Sequence, residues 1–78
     1  MRVKDITGRN HNIKPENVQL HYEKARGLTY WYNNFKIRLA LTDDQKNIIK
    51  QVVDTVCVFD GYSERLIPFK DLCYNIDN

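Results

Sequence analysis

Four side chains in this 78-residue chain carry the usual tools of covalent or metal chemistry: Cys57, Cys73, His11 and His21. A thiol nucleophile needs a base within hydrogen-bond reach and a group that orients the base. Both cysteines lie in apolar runs, Val56-Cys57-Val58 and Leu72-Cys73-Tyr74, a setting that suits packing better than thiolate activation. His21 falls on the polar side of an alternating segment and His11 in a turn-rich one. The spacings His11–His21 and Cys57–Cys73 match none of the close ligand pairs of structural zinc sites, so no metal is expected. Two free thiols are expected rather than a disulfide.

Other motifs also lack chemistry. Asp43-Asp44 is accounted for by a helix N-terminus, whose dipole favours acids. Gly8, Gly27 and Gly61 are isolated, so the chain has no glycine-rich phosphate loop. The reading is of a non-enzymatic protein without a cofactor, and attention moves to surfaces.

The richest surface comes from Leu28–Leu41, Leu-Thr-Tyr-Trp-Tyr-Asn-Asn-Phe-Lys-Ile-Arg-Leu-Ala-Leu. Folded as a hairpin at Asn33-Asn34, it pairs Tyr32 with Phe35, Tyr30 with Ile37 and Leu28 with Leu39 on one apolar face. Thr29, Trp31, Lys36 and Arg38 fall on the other. The preceding segment alternates, with Val18, Leu20 and Tyr22 opposed to Gln19, His21 and Glu23, which is the period of a half-buried strand. Ala25-Arg26-Gly27 joins the two, with glycine in the left-handed slot of a three-residue loop. This pairing extends the apolar face and sets Trp31 between His21 and Lys36. The expected binding residues are therefore Trp31, Lys36, Arg38, His21 and Thr29. Tryptophan beside cations suits either a protein hot spot or base stacking.

Charge is uneven. Residues 1–38 hold eight Lys and Arg against three acids, and residues 39–78 hold four against seven. Arg2, Lys4, Arg9, Lys14 and Arg26 are accordingly candidate anion contacts. Residues 1–15, interrupted by Gly8, Asn10, Asn12 and Pro15, read as a flexible basic arm.

Elements that position these residues follow from local signals. Thr42 with Gln45 three residues later forms a capping-box pattern, and Ile48, Ile49, Val52, Val53 and Val56 follow one helical face. Valines restrict χ1 and favour extension, so the helix is expected to stop near Asp54. Asp60-Gly61 marks a turn between two further strands, with Cys57 opposite Glu64 for a tight turn, or opposite Leu66 or Ile67 for a longer loop. Pro68 places the second of these at an edge.

The fold class is therefore α+β. An antiparallel meander (about 17–24, 28–33, 35–41) precedes one helix (about 43–54) packed on it, then a hairpin (about 55–59, 64–69) and a short C-terminal element. A small barrel is the alternative.

An apolar fraction of 42 % and a charged fraction of 28 % are those of one globular domain, and no run approaches the ~18 apolar residues of a membrane span. A cytoplasmic location is expected. Frequent Asn, Ile, Lys and Tyr match translation from an AT-rich genome, as in low-GC bacteria and their phages. The expected function is that of a small regulatory protein of a phage or mobile element. It would inhibit a nucleic-acid-handling host enzyme, such as a defence nuclease, through protein–protein contact. Direct binding of single-stranded or structured nucleic acid, and a homo-oligomeric structural subunit (a homodimer, for example), are the alternatives.

Overall fold

A computed structural model describes residues 1–76, with side chains described as far as Leu72. Seven strands form one sheet: β1 (Arg2–Asp5), β2 (Asn10–Asn12), β3 (Gln19–Glu23), β4 (Gly27–Tyr32), β5 (Ile37–Ala40), β6 (Thr55–Phe59) and β7 (Glu64–Pro68). Their spatial order is β2-β1-β5-β4-β3-β6-β7, so β2 and β7 are edges and the sheet stays open rather than closing as a barrel. Every pairing is antiparallel except β3 with β6. The parallel pair follows from a crossover: β5 leads into helix α1 (Asp43–Val52), which returns the chain past β4 and β3 to lay β6 at the far side.

Helix α1 starts as its sequence directs. Thr42 Oγ1 accepts from the Gln45 amide at 3.2 Å, and Gln45 Oε1 accepts from the Thr42 amide at 3.0 Å. It ends at Val52, two residues before the expected stop, because Val53 already has extended backbone and Thr55 enters β6. Ile49 and Val53 are buried, but Ile48 and Val52 are 46 % and 48 % exposed. The five-residue apolar stripe is thus wider than the buried face. A sheet covers only the side of the helix that rests on it.

Below α1 lie Leu20, Tyr30 and Leu39 from the central strands, with Val3, Ile13, Val18 and Val56. Burial pushes the Tyr30 phenol up to about 12. Leu72 of helix α2 (Phe69–Ile76) joins the same cluster, so the short C-terminal element is a helix on the same side of the sheet as α1. Both helices cover one face, giving a two-layer α+β architecture.

Residues 1–15 correct the reading of a flexible basic arm. β1 pairs with β5 (Lys4 opposite Ala40, Asp5 opposite Leu39), and β2 folds back on β1. Val3 is 1 % exposed and Ile13 4 %. The Met1 ammonium donates to the Ile13 carbonyl at 2.7 Å. Asp5 holds the β1–β2 turn: its carboxylate accepts from the Thr7 hydroxyl and amide and the Arg9 amide, and His11 Nε2 lies 2.7 Å away. These bonds, led by the Thr7 hydroxyl and His11, hold the carboxyl well below its usual range. The segment is ordered by one buried valine, one buried isoleucine and a buried carboxylate.

The meander keeps its predicted faces but not its predicted registers. Leu20 stands opposite Tyr30 and Tyr22 opposite Leu28; Tyr32 stands opposite Ile37 and Trp31 opposite Arg38. Each pairing is displaced by two residues, which preserves in and out because side chains alternate with period two. Gly27 is left-handed (φ +76°) as expected, but it already belongs to the ladder, opposite Glu23. The second turn spans Asn33–Lys36, with Asn33, Asn34 and Phe35 all left-handed. Phe35 therefore leaves the apolar face where it was expected and lies 40 % exposed on the other side.

In the C-terminal hairpin Cys57 stands opposite Leu66, the longer-loop register. Asp60 Oδ1 shapes that loop by accepting from the Tyr62 and Ser63 amides. Cys57 is a free, buried thiol; the Cys73 side chain and Asp77-Asn78 lie outside the described residues.

Candidate functional site

With the helices on one face, the other face of the sheet shows the residues that alternate outward. From the β1 side these are Lys4, Ala40 and Arg38, then Trp31 and Thr29, then Gln19 and His21, then Cys57 and Leu66. Among the described residues no helix packs over this side.

The predicted binding residues are distributed unevenly across it. Trp31 is half-buried, its indole Nε1 donating to Thr29 Oγ1 at 2.8 Å. Thr29 in turn donates to the His21 carbonyl at 3.2 Å and is only 7 % exposed. Thr29 is thus a support for the indole and no longer a contact residue. His21 faces Thr29 rather than Trp31, a consequence of the two-residue register displacement. Arg38 is half-buried opposite Trp31, while Lys36 is exposed in the 33–36 turn.

Among the candidate anion contacts, Arg2 and Lys4 are exposed on β1, Arg9 lies in the β1–β2 turn and Lys14 is exposed beyond β2. Arg26 is tied to Glu23 at 3.2 Å in the β3–β4 turn. Lys4 shares the outward side with Arg38, so the β1–β5 flank of the open face is basic. The opposite flank carries Glu64 and the apolar Leu66, which is 73 % exposed.

Between the flanks is a pocket of about 200 Å³ lined by His21, Trp31, Phe35, Cys57 and Glu64. Phe35 forms part of its wall: its ring meets His21 edge-on (centroids 6.2 Å apart) and tilts toward Trp31 (6.5 Å). Gln19 Oε1 accepts from the Phe35 amide at 3.2 Å and anchors the turn in place. A left-handed phenylalanine is uncommon and costs roughly 1–2 kcal/mol, so the turn is held against a local preference.

Three donors meet at the pocket: His21 from β3, Cys57 from β6 and Glu64 from the start of β7. The Cys57 thiol donates to Glu64 Oε2 at 3.7 Å, and His21 Nε2 is 3.8 Å from Glu64 Oε1. Burial foremost, then the charge and hydrogen bond of Glu64, push the thiol pKa up. That setting holds Cys57 as a thiol at neutral pH, the opposite of an activated nucleophile.

Sequence reasoning placed Cys57 and His21 apart and did not single out Glu64 or Phe35 for the site. No local signal joins them, since His21 and Cys57 become neighbours only through the parallel β3–β6 pairing. No protein-family model, curated protein or solved structure matches the chain. No helix among the described residues is long and apolar enough to cross a membrane.

Proposed function

We propose that this is a small non-enzymatic binding protein that regulates a larger protein through the open face of its sheet. The observation that carries this reading is the placement of both helices on one side. The other side is left with half-exposed Trp31, exposed Phe35 and Leu66, and a basic flank of Lys4, Lys36 and Arg38. Aromatic and arginine side chains set in a partly apolar surface are the usual anchors of protein interfaces. The partner surface that fits has an apolar centre and carboxylates aligned with the basic flank.

A nucleic-acid-handling enzyme, such as a defence nuclease opposed by a phage or mobile-element protein acting in the cytoplasm, is the target class we favour. The frequent Asn, Ile, Lys and Tyr, residues that an AT-rich genome favours, support that origin. Direct binding of single-stranded nucleic acid is the second reading, favoured by Trp31 and Phe35 standing beside Lys36 and Arg38.

Capture with the immobilised chain separates them. A specific protein should bind wild type and be weakened at least about 30-fold by Trp31→Ala with Arg38→Ala, the effect of losing a hot spot of about 2 kcal/mol. Unchanged affinity in the double variant would remove this face from the reading. Oligonucleotide binding that falls steeply with salt would favour the second reading instead. Sedimentation as a dimer that Leu66→Asp dissolves would show that the face serves a second copy of the chain.

A further inference from the structure

The pocket at the centre of the open face has a feature that partner binding does not require. His21 and Cys57 stand at the same level of adjacent parallel strands, so their side chains leave the sheet side by side. Glu64 opens β7 one strand further out and reaches back over Cys57. One imidazole nitrogen, one sulfur and one carboxylate oxygen thus lie within 4.8 Å of one another. The Cys57 sulfur lies 3.7 Å from one Glu64 oxygen, Oε2, and His21 Nε2 lies 3.8 Å from the other, Oε1. A tetrahedral zinc ion, with bonds of about 2.3 Å to sulfur and about 2.0–2.2 Å to nitrogen and oxygen, sets its donors about 3.5 Å apart. The Glu64 side chain, 62 % exposed, can turn one oxygen toward both partners, and donor separations already within 4.8 Å close toward that value by side-chain rotation.

We propose that His21, Cys57 and Glu64 form a binding site for a single divalent zinc-class cation. The donor set selects the ion. Calcium and magnesium take oxygen ligands, whereas thiolate with imidazole selects zinc and its borderline-soft neighbours. A pocket of about 200 Å³ is below the roughly 300–1,000 Å³ of sites for organic ligands, but admits an ion and its water.

The arrangement also supplies what a metal site needs beyond its donors. His21 and Cys57 are set on neighbouring strand backbones and mostly shielded, which fixes two ligands before the ion arrives. Glu64, with its side chain 62 % exposed, leaves a path for entry and closes the site from the solvent side. Phe35 and Trp31 give the pocket one aromatic wall. On binding, the Cys57 S–H bond breaks, its proton goes to solvent, and the sulfur lone pair forms the metal–sulfur bond. The His21 imidazole donates through a ring nitrogen and Glu64 through a carboxylate oxygen. Thiolate and carboxylate together balance the charge of the ion. Water takes the fourth position, as in zinc sites with three protein ligands.

Titrating the reduced full-length chain with Co²⁺ tests the proposal. One equivalent should produce a thiolate-to-cobalt charge-transfer band in the near ultraviolet and tetrahedral ligand-field absorption in the visible. It should also quench the fluorescence of Trp31, the one tryptophan of the chain, and Zn²⁺ should reverse all three signals. Cys57→Ser should abolish the charge-transfer band, while Cys73→Ser should leave it intact. Glu64→Gln, a change at an exposed side chain that does not threaten folding, should weaken Co²⁺ at least about tenfold, since even outer-sphere partners of metal ligands are worth 10–100-fold. Absence of the charge-transfer band, its survival in Cys57→Ser, or unaltered affinity in Glu64→Gln would overturn the assignment. The outcome is independent of partner capture, because the titration uses the chain alone.

Discussion

Replacing Ile49 with alanine should lower the free energy of unfolding by about 2–5 kcal/mol, while the same change at Ile48 should stay within about 0.5 kcal/mol. Ile49 is 0 % exposed at the centre of the cluster that joins α1 to Leu20, Tyr30 and Leu39. Truncating it removes the transferred apolar surface and leaves a cavity that a close-packed layer cannot refill. Ile48 is 46 % exposed one position earlier, and alanine there gains helix propensity. A domain this small is worth roughly 4–12 kcal/mol in total, so the Ile49 variant approaches the limit of foldability. Urea unfolding of the two variants, compared at constant m-value, measures the difference. Equal losses at the two sites would mean that α1 is rotated on the sheet relative to the arrangement described above.

Deleting residues 1–13 should abolish cooperative unfolding. Val3 and Ile13 are almost wholly buried, and each is worth about 1.5–3 kcal/mol in surface withdrawn from water. Their sum of about 3–6 kcal/mol is a large share of the roughly 4–12 kcal/mol expected for the domain. The deletion also strips β5 of one of its two partner strands and α1 of the bond from Gln45 Nε2 to the Arg2 carbonyl. Thermal unfolding followed by circular dichroism should show a sigmoidal transition for the full chain and none for the shortened one. A shortened chain with an unchanged midpoint would restore the picture of a free basic arm.

What could be read from the chain beforehand depended on how far each signal reached. Thr42 and Gln45 are three residues apart, and their capping box is present as read. The alternation of Leu20, Tyr22, Leu28, Tyr30, Tyr32 and Leu39 fixed which sheet face is apolar, because a period of two survives an error of two in register. The registers themselves depended on turn conformations. Three consecutive left-handed residues, one of them Phe35, make a turn that residue preferences do not favour. Val3 offered too little local pattern to announce a strand, and its partner β5 lies more than thirty residues away in the chain. Thr29, an outward-facing residue by alternation, is buried beneath the Trp31 indole. The cluster of His21, Cys57 and Glu64 was least legible of all, since it depends on the parallel pairing that the α1 crossover creates.

The central functional claim concerns the open face of the sheet, and site-directed photo-crosslinking tests it most directly. A photoreactive side chain is placed at Leu66, 73 % exposed on the open face, and in a second chain at Lys50, exposed on α1 across the molecule. Both chains are irradiated in the cells that make the protein. The account predicts one specific protein adduct from position 66 and none of it from position 50. The same adduct formed from position 50 and absent from position 66 would contradict it, placing the partner on the helical layer instead.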